Sequence, residues 1–217
     1  MNPRIEQKIP FDIIDYPSIL NWIKENNGIT LFPPRIITSR YFDNFRLEMF
    51  HETREGIIPR KKIRIRNYGS RKLHEIKNNF RFEYKLSTDN MRLKNEKKLI
   101  KKKEFLKLSN FGIEDKKYGS CFPILDISYE REYFFIKNIR LTIDKSIEYD
   151  CNSNFLKEIL NQKFFKDNLC VCEIKTNFNY ETIQLLNDFA FQRTQFSKYQ
   201  RGIELLKISE NFELINK

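Results

Sequence analysis

Charged residues recur at every second position in several separate segments, and this spacing constrains the fold more than any other feature of the chain. In a β-strand, residues i, i+2 and i+4 share a face. On that rule Arg4, Glu6 and Lys8 share one face, with Ile5 and Ile9 opposite. Lys62, Arg64 and Arg66 share a face, backed by Ile63 and Ile65. Arg81, Glu83 and Lys85 are backed by Phe80, Phe82 and Tyr84. Arg140, Thr142 and Asp144 are backed by Leu141 and Ile143, and Glu173 and Lys175 by Cys172 and Ile174.

For a single strand, such alternation describes an ordinary half-buried sheet with a wet outer face. Three features of the set point inward instead. Lys62, Arg64 and Arg66 place three like charges about 7 Å apart, which calls for an anionic partner or for acidic residues on facing strands. Glu-x-Lys recurs at Glu6/Lys8, Glu83/Lys85 and Glu173/Lys175. Arginine is frequent at strand centres, and its planar fork matches phosphate oxygens. A sheet closed on itself would turn these faces into a polar lumen.

The remaining pattern gives an α+β chain dominated by antiparallel strands. Strands are expected over Arg4–Ile9, Arg35–Phe42, Phe45–His51, Lys61–Asn67, Phe80–Leu86, Leu125–Phe134, Arg140–Ile147 and Cys170–Lys175. A helix is expected over Pro17–Asn27, with Ile19, Leu20 and Ile23 as its apolar stripe and Gly28 as its C-cap. Met91–Leu108 reads as an amphipathic helix or an irregular excursion. Two helices, Asn154–Phe165 and Tyr180–Leu206, flank the last strand, the second broken near Thr194–Gln195. No linker composition divides the chain, so residues 1–217 read as a single domain. Trp22, Tyr41 and Phe42 read as packing residues. His51 and His74 stand alone, without a nucleophile or ligand pattern nearby. The lysines of Lys97–Lys103 read as a solvated face or a funnel for polyanions.

The formal charge of +11 attracts polyanions: nucleic acid, anionic lipid, nucleotides or polyphosphate. No apolar run reaches the roughly 20 residues that span a bilayer, and the N-terminus lacks a signal-peptide pattern. Cys121, Cys151, Cys170 and Cys172 form no C-x-x-C pair and read as reduced thiols of a cytoplasmic protein. Zinc is not expected, since no second Cys/His pair has ligand spacing. Nucleic acid is not expected either, because the cations alternate with glutamates and lack exposed stacking faces.

Taken in order, the charged strands resemble the VTC domain, the polyphosphate-polymerase domain of the vacuolar transporter chaperone family. That family lies within the triphosphate tunnel metalloenzymes, the CYTH-like superfamily. RIEQKIPF resembles its opening R-x-E-x-K strand. SRYFDN and PRKKIRIRNYG resemble its S-x-YFD and R-x-K-x-R-x-R-x-Y signatures, and FEYK its E-x-K strand. ISYEREYF and IRLTIDKSIEY resemble its Y-x-R and R-x-T-x-D strands. CEIKTN and FSKYQRGIELL resemble its second E-x-K strand and its SKY-x-x-G ending.

The resemblance implies a closed antiparallel β-barrel tunnel with flanking helices. It implies phosphate binding by Lys8, Arg60, Lys62, Arg64, Arg66, Lys85, Lys94, Arg131, Arg140 and Lys198. Arg64, Arg66, Lys198 and Glu173 would carry catalysis. Glu173 matches the metal-binding glutamate, with Glu6, Glu83 and Asp144 as candidate helpers for Mn²⁺ or Mg²⁺. The implied partners are ATP, triphosphate and polyphosphate. The implied reaction moves the γ-phosphate of ATP onto a growing polyphosphate chain. A triphosphate hydrolase and a non-catalytic polyphosphate or inositol-phosphate sensor are the alternatives. One departure stands out: Gln195, with Arg193 nearby, occupies the place of a basic residue three positions before Lys198.

Overall fold

The alternating segments do form strands, and their order places the charged faces. The computed structural model describes residues 4–88, 92–151, 158, 160–177, 184, 185, 187, 189 and 194–215. The strands are β1 (Arg4–Asp12), β2 (Ile29–Asp43), β3 (Arg60–Tyr68), β4 (Phe80–Ser87), β5 (Arg92–Ile100), β6 (Ile113–Asp115), β7 (Gly119–Ile136), β8 (Ile139–Asp150), β9 (Phe164–Lys166) and β10 (Leu169–Asn177). The helices are α1 (Tyr16–Glu25), α2 (Glu48–Arg54), α3 (Lys102–Phe111), α4 (Lys198–Leu205) and α5 (Ile208–Ile215). None of the described helices is long and apolar enough to cross a membrane.

Among the described residues the strands join in the order β1-β10-β8-β7-β2-β3-β4-β5, with β6 on β7 and β9 on β8. The ladders between β1 and β10, β10 and β8, β2 and β3, β3 and β4, and β4 and β5 are antiparallel. The order ends on β1 and β5 and does not return on itself, so the sheet is not closed. The expected closed barrel is therefore not confirmed among the described residues. Alternation tells which residues share a face, but it carries no information on whether two edges meet.

The chain forms two compact units. The first comprises Met1–Ile36, Tyr129–Ile147 and Lys166–Phe196. Its core is the apolar back of β1, β8 and β10: Ile9, Phe11, Leu141, Ile143, Cys172 and Ile174, with Ile19 and Ile23 of α1 packed on it. Each such side chain stabilises the unit by roughly 2 kcal/mol on burial. Trp22 is only partly buried and meets Phe189 edge-on, with centroids 4.7 Å apart. The helix α1 is C-capped by Asn26, with Asn27 taking the left-handed turn at φ 57°, so Gly28 is not its C-cap. Gly28 is required for close approach, since a Cβ there would lie 2.5 Å from Ile23.

The second unit comprises Ile37–Ser128, Glu148–Phe165 and Ser197–Lys217. Its core gathers Phe42, Ile63, Ile65, Phe80, Phe82 and Phe105. Phe105 of α3 stacks on Phe80 at 4.3 Å. The four cysteines are buried and none forms a disulfide.

Three further expectations need correction. Phe45–His51 is not a strand: it turns at Leu47, φ 52°, into α2. Asn44 Oδ1 accepts from the amides of Arg46 and Glu48, and Asp43 accepts from those of Met49 and Phe50, so side-chain capping overrides the apolar run. Met91–Leu108 divides into the edge strand β5 and the helix α3, because the β4 ladder claims residues from Arg92 to Ile100. Phe164 and Phe165 belong to β9 rather than to a helix. Residues 154–157 and 159 of the expected helix Asn154–Phe165 lie outside the described residues, as do 180–183, 186, 188 and 190–193, Arg193 among them, of Tyr180–Leu206. Residues 194–197 are not helical, and α4 begins only at Lys198.

Candidate functional site

In the second unit, β3 carries the cations, and register shows what faces them. Lys62 stands opposite Lys85 of β4, and Lys85 opposite Lys94 of β5. The register therefore aligns three lysine positions across three strands, and between Lys62 and Lys85 like charges repel. The next row runs Tyr41, Arg64, Glu83, Glu96, and the one beyond it Ser39, Arg66, Arg81. Arg64 Nε donates to Glu83 Oε2 at 2.6 Å, and its Nη1 donates to the Tyr41 hydroxyl at 2.9 Å. Arg66 Nε donates to Ser39 Oγ at 3.0 Å. Glu83 is 1% exposed and Arg66 8%, so the middle of this face is not wet. Arg81, at its margin, is exposed and lies over the Tyr68 ring. Charges are buried this deeply only when paired or when they serve a ligand.

The SKY-x-x-G segment reaches the same unit. Ser197 N-caps α4, accepting from the amide of Gln200, and its Oγ also accepts from Lys62 Nζ at 2.8 Å. Lys198 opens the first turn of α4. Tyr199 stacks on Tyr41 at 5.1 Å and donates its hydroxyl to Asp43 at 2.7 Å. Burial pushes the Asp43 carboxyl up to about 6, against the hydrogen bonds from Tyr199 and the amides of Met49, Asn44 and Phe50. Gly202 lets α4 lie on the sheet, since a Cβ there would sit 2.5 Å from both Leu125 and Tyr149. Gly202→Ala is therefore expected to destabilise the protein by about 1–3 kcal/mol through overpacking. It should also weaken phosphate binding by displacing Lys198, which urea unfolding and a parallel binding titration would measure.

Tyr41 is the residue that sequence reasoning missed. It reads as packing, yet it holds Arg64 through its hydroxyl and α4 through its ring. The signal was available: Tyr41 shares a strand face with Ser39, and both stand opposite arginines of β3.

In the first unit the charges alternate in two dimensions. One cross-strand row is Glu6, Lys175, Arg140, and the next is Lys8, Glu173, Thr142. Arg131 of β7 forks onto Asp144 at 2.5 and 2.7 Å and reaches Glu173 Oε2 at 3.2 Å. Lys175 Nζ lies 3.0 Å from Glu173 Oε1. Asp144 is fully buried and Glu173 is 8% exposed. Burial raises the Glu173 carboxyl, but Arg131, Lys8 and Lys175 outweigh it and hold the group well below its usual range. Glu6 lies on the same face, one cross-strand row away from Glu173.

Not every expected residue converges. Arg140 is exposed at the start of β8. Arg60 is tied to the carbonyls of Gly56 and Ile57, each at 3.1 Å. Gln195 is exposed. Among the metal candidates, Glu6, Asp144 and Glu173 belong to the first unit and Glu83 to the second.

The donor set suits a hard divalent cation in its chemistry, since Glu6 and Glu173 offer oxygen alone on one face. Among the described residues no group of three or more His, Cys, Asp or Glu forms a complete cage.

The family pattern of the VTC domain matches residues 3–207. Among curated proteins, none matches the chain. Among solved structures, a Bacillus halodurans protein described as a candidate adenylate cyclase is 15% identical, with a TM-score of 0.55 over 92% of this chain and 97% of that one. A conserved protein of Pyrococcus furiosus is 12% identical, with a TM-score of 0.49 over 90% and 98%. A Vibrio parahaemolyticus protein, also described as a candidate adenylate cyclase, is 13% identical, with a TM-score of 0.44 over 97% and 88%. The Bacillus halodurans likeness identifies the fold alone.

Proposed function

Because this chain belongs to the VTC domain family, we propose that it is a metal-dependent polyphosphate polymerase, moving the γ-phosphate of ATP onto the end of a polyphosphate chain. The observation that carries this reading is the row Lys62, Lys85, Lys94, flanked by Arg64 and Arg66 on a partly covered face. Cations brought into register on neighbouring strands suit a multivalent anion.

Phosphoryl transfer asks little covalent chemistry of a protein, and positioning with charge neutralisation does most of the work. In this proposal the lysine row and Lys198 hold phosphate oxygens. Arg64 is aimed by Tyr41 and Glu83, and Arg66 by Ser39. In the first unit a divalent cation, Mn²⁺ or Mg²⁺, would be held by Glu173 and Glu6 with Asp144 as a further candidate, and would neutralise negative charge on phosphate oxygens. In the reaction the γ-phosphorus leaves the β-γ bridging oxygen of ATP, which departs on ADP. It bonds instead to a terminal oxygen of the acceptor chain.

The test is incubation with ATP and Mn²⁺, with phosphate chains resolved on a gel and free phosphate measured alongside. Chains that lengthen with time are expected. Orthophosphate alone would make the protein a triphosphate hydrolase, and tight binding with no turnover a sensor. Gln195 is the reason to score all three.

A further inference from the structure

Thr142 lies on the charged face of β8, between Arg140 and Asp144 and directly across the ladder from Glu173. It is 5% exposed, and its Oγ1 has no hydrogen-bond partner. An orphan hydroxyl in a protein interior is unfavourable and uncommon. Here it sits beside carboxylates that already have donors. Glu173 Oε2 takes Arg131, Glu173 Oε1 faces Lys175, and both Asp144 oxygens take the Arg131 fork. Residues directly opposite in an antiparallel ladder have Cβ atoms about 4.5–5.5 Å apart, so the hydroxyl is one side-chain rotation from Glu173.

We infer that Thr142 is a positioning residue for Glu173 in the phosphate-bound protein. It donates to the carboxylate when an anion draws Arg131 and Lys175 away. The inference rests on the phosphate-binding reading above and adds a role that this reading does not require. A phosphate group competes with Glu173 and Asp144 for the guanidinium fork, because both offer charged oxygens in bidentate geometry. Each donor drawn off strands a buried carboxylate oxygen, which opposes binding. Thr142 supplies a replacement. Its hydroxyl is unsatisfied in the resting arrangement and satisfied in the bound one, and only such a difference between states can favour binding.

Two variants separate this role from packing. Thr142→Val keeps the branched shape and deletes the hydroxyl, while Thr142→Ser keeps the hydroxyl. Each is titrated calorimetrically with tripolyphosphate in EDTA, and its melting temperature is read with and without tripolyphosphate. Thr142→Val is expected to melt at or above the wild type without ligand, yet to bind tripolyphosphate about tenfold more weakly. Thr142→Ser is expected to bind within about twofold of the wild type. A Val variant that binds as tightly as the wild type overturns the inference, leaving the hydroxyl a packing feature. So does a Val variant that melts lower without ligand, since the hydroxyl would then be satisfied at rest. A wild-type protein that binds no tripolyphosphate removes the phosphate-binding reading itself, which is a different failure.

Discussion

Arg131→Met is expected to lower the melting temperature by about 10 °C, the consequence of losing about 3–5 kcal/mol when a buried ion pair is broken from one side. Methionine fills most of the volume, so the loss is electrostatic. Asp144, fully buried, forfeits both donors of the fork, and Glu173 forfeits one. Adding Asp144→Asn should recover a large part of the loss, because it removes the stranded charge. Differential scanning calorimetry of the wild type and both variants checks the pair. The cluster also sets the acid limb. Arg131, Lys8 and Lys175 hold the Glu173 carboxyl well below the usual carboxylate range, so its contribution is fully present above that range and is lost as pH falls through the lowered value of the folded state. The stability gap between wild type and Glu173→Gln should therefore narrow on acidification from neutral pH.

Arg64→Ala is expected to damage stability and binding together, and Glu83 explains why. Glu83 is 1% exposed and takes Arg64 at 2.6 Å, so the single variant removes a charged donor from a buried carboxylate. A cost of about 3 kcal/mol is expected. Arg64→Ala combined with Glu83→Gln should restore most of the stability while tripolyphosphate binding stays about ten- to a hundredfold weaker, the worth of a charge-assisted contact. Glu83→Gln alone releases Arg64 from its competitor and should tighten metal-free binding. The three signs together separate a ligand-binding arginine from a structural one.

The charged faces were legible in the sequence because period two is a local property. It put Lys62, Arg64 and Arg66 on one side of β3 and Ile63 and Ile65 on the other, as found. Whether such a face is wet or covered is not local. Arg66 and Glu83 are covered, whereas Arg81 and Arg140, from the same kind of pattern, are exposed. The helix α2 was missed because Asp43 and Asn44 start it through side chains that read as strand-end residues. Lys94 stood among many lysines, and only the β4–β5 register sets it opposite Lys85. Sheet closure is not legible for the same reason: strand edges meet or stay apart through tertiary packing. The SKY-x-x-G motif resolves into separate tasks: Ser197 caps, Tyr199 anchors to Asp43, and Gly202 permits close packing.

The central claim is that the covered cationic face, rather than the lysine-rich exterior, takes the phosphates. Calorimetric titration of tripolyphosphate into the wild type, a Lys62→Met/Lys85→Met variant and an exterior Lys103→Gln/Lys107→Gln variant tests it directly. Both pairs remove the same charge, so the long-range field changes equally. The account predicts a loss of about a hundredfold in the first variant and less than about threefold in the second. Wild-type affinity in the first variant, with the loss confined to the second, would contradict it.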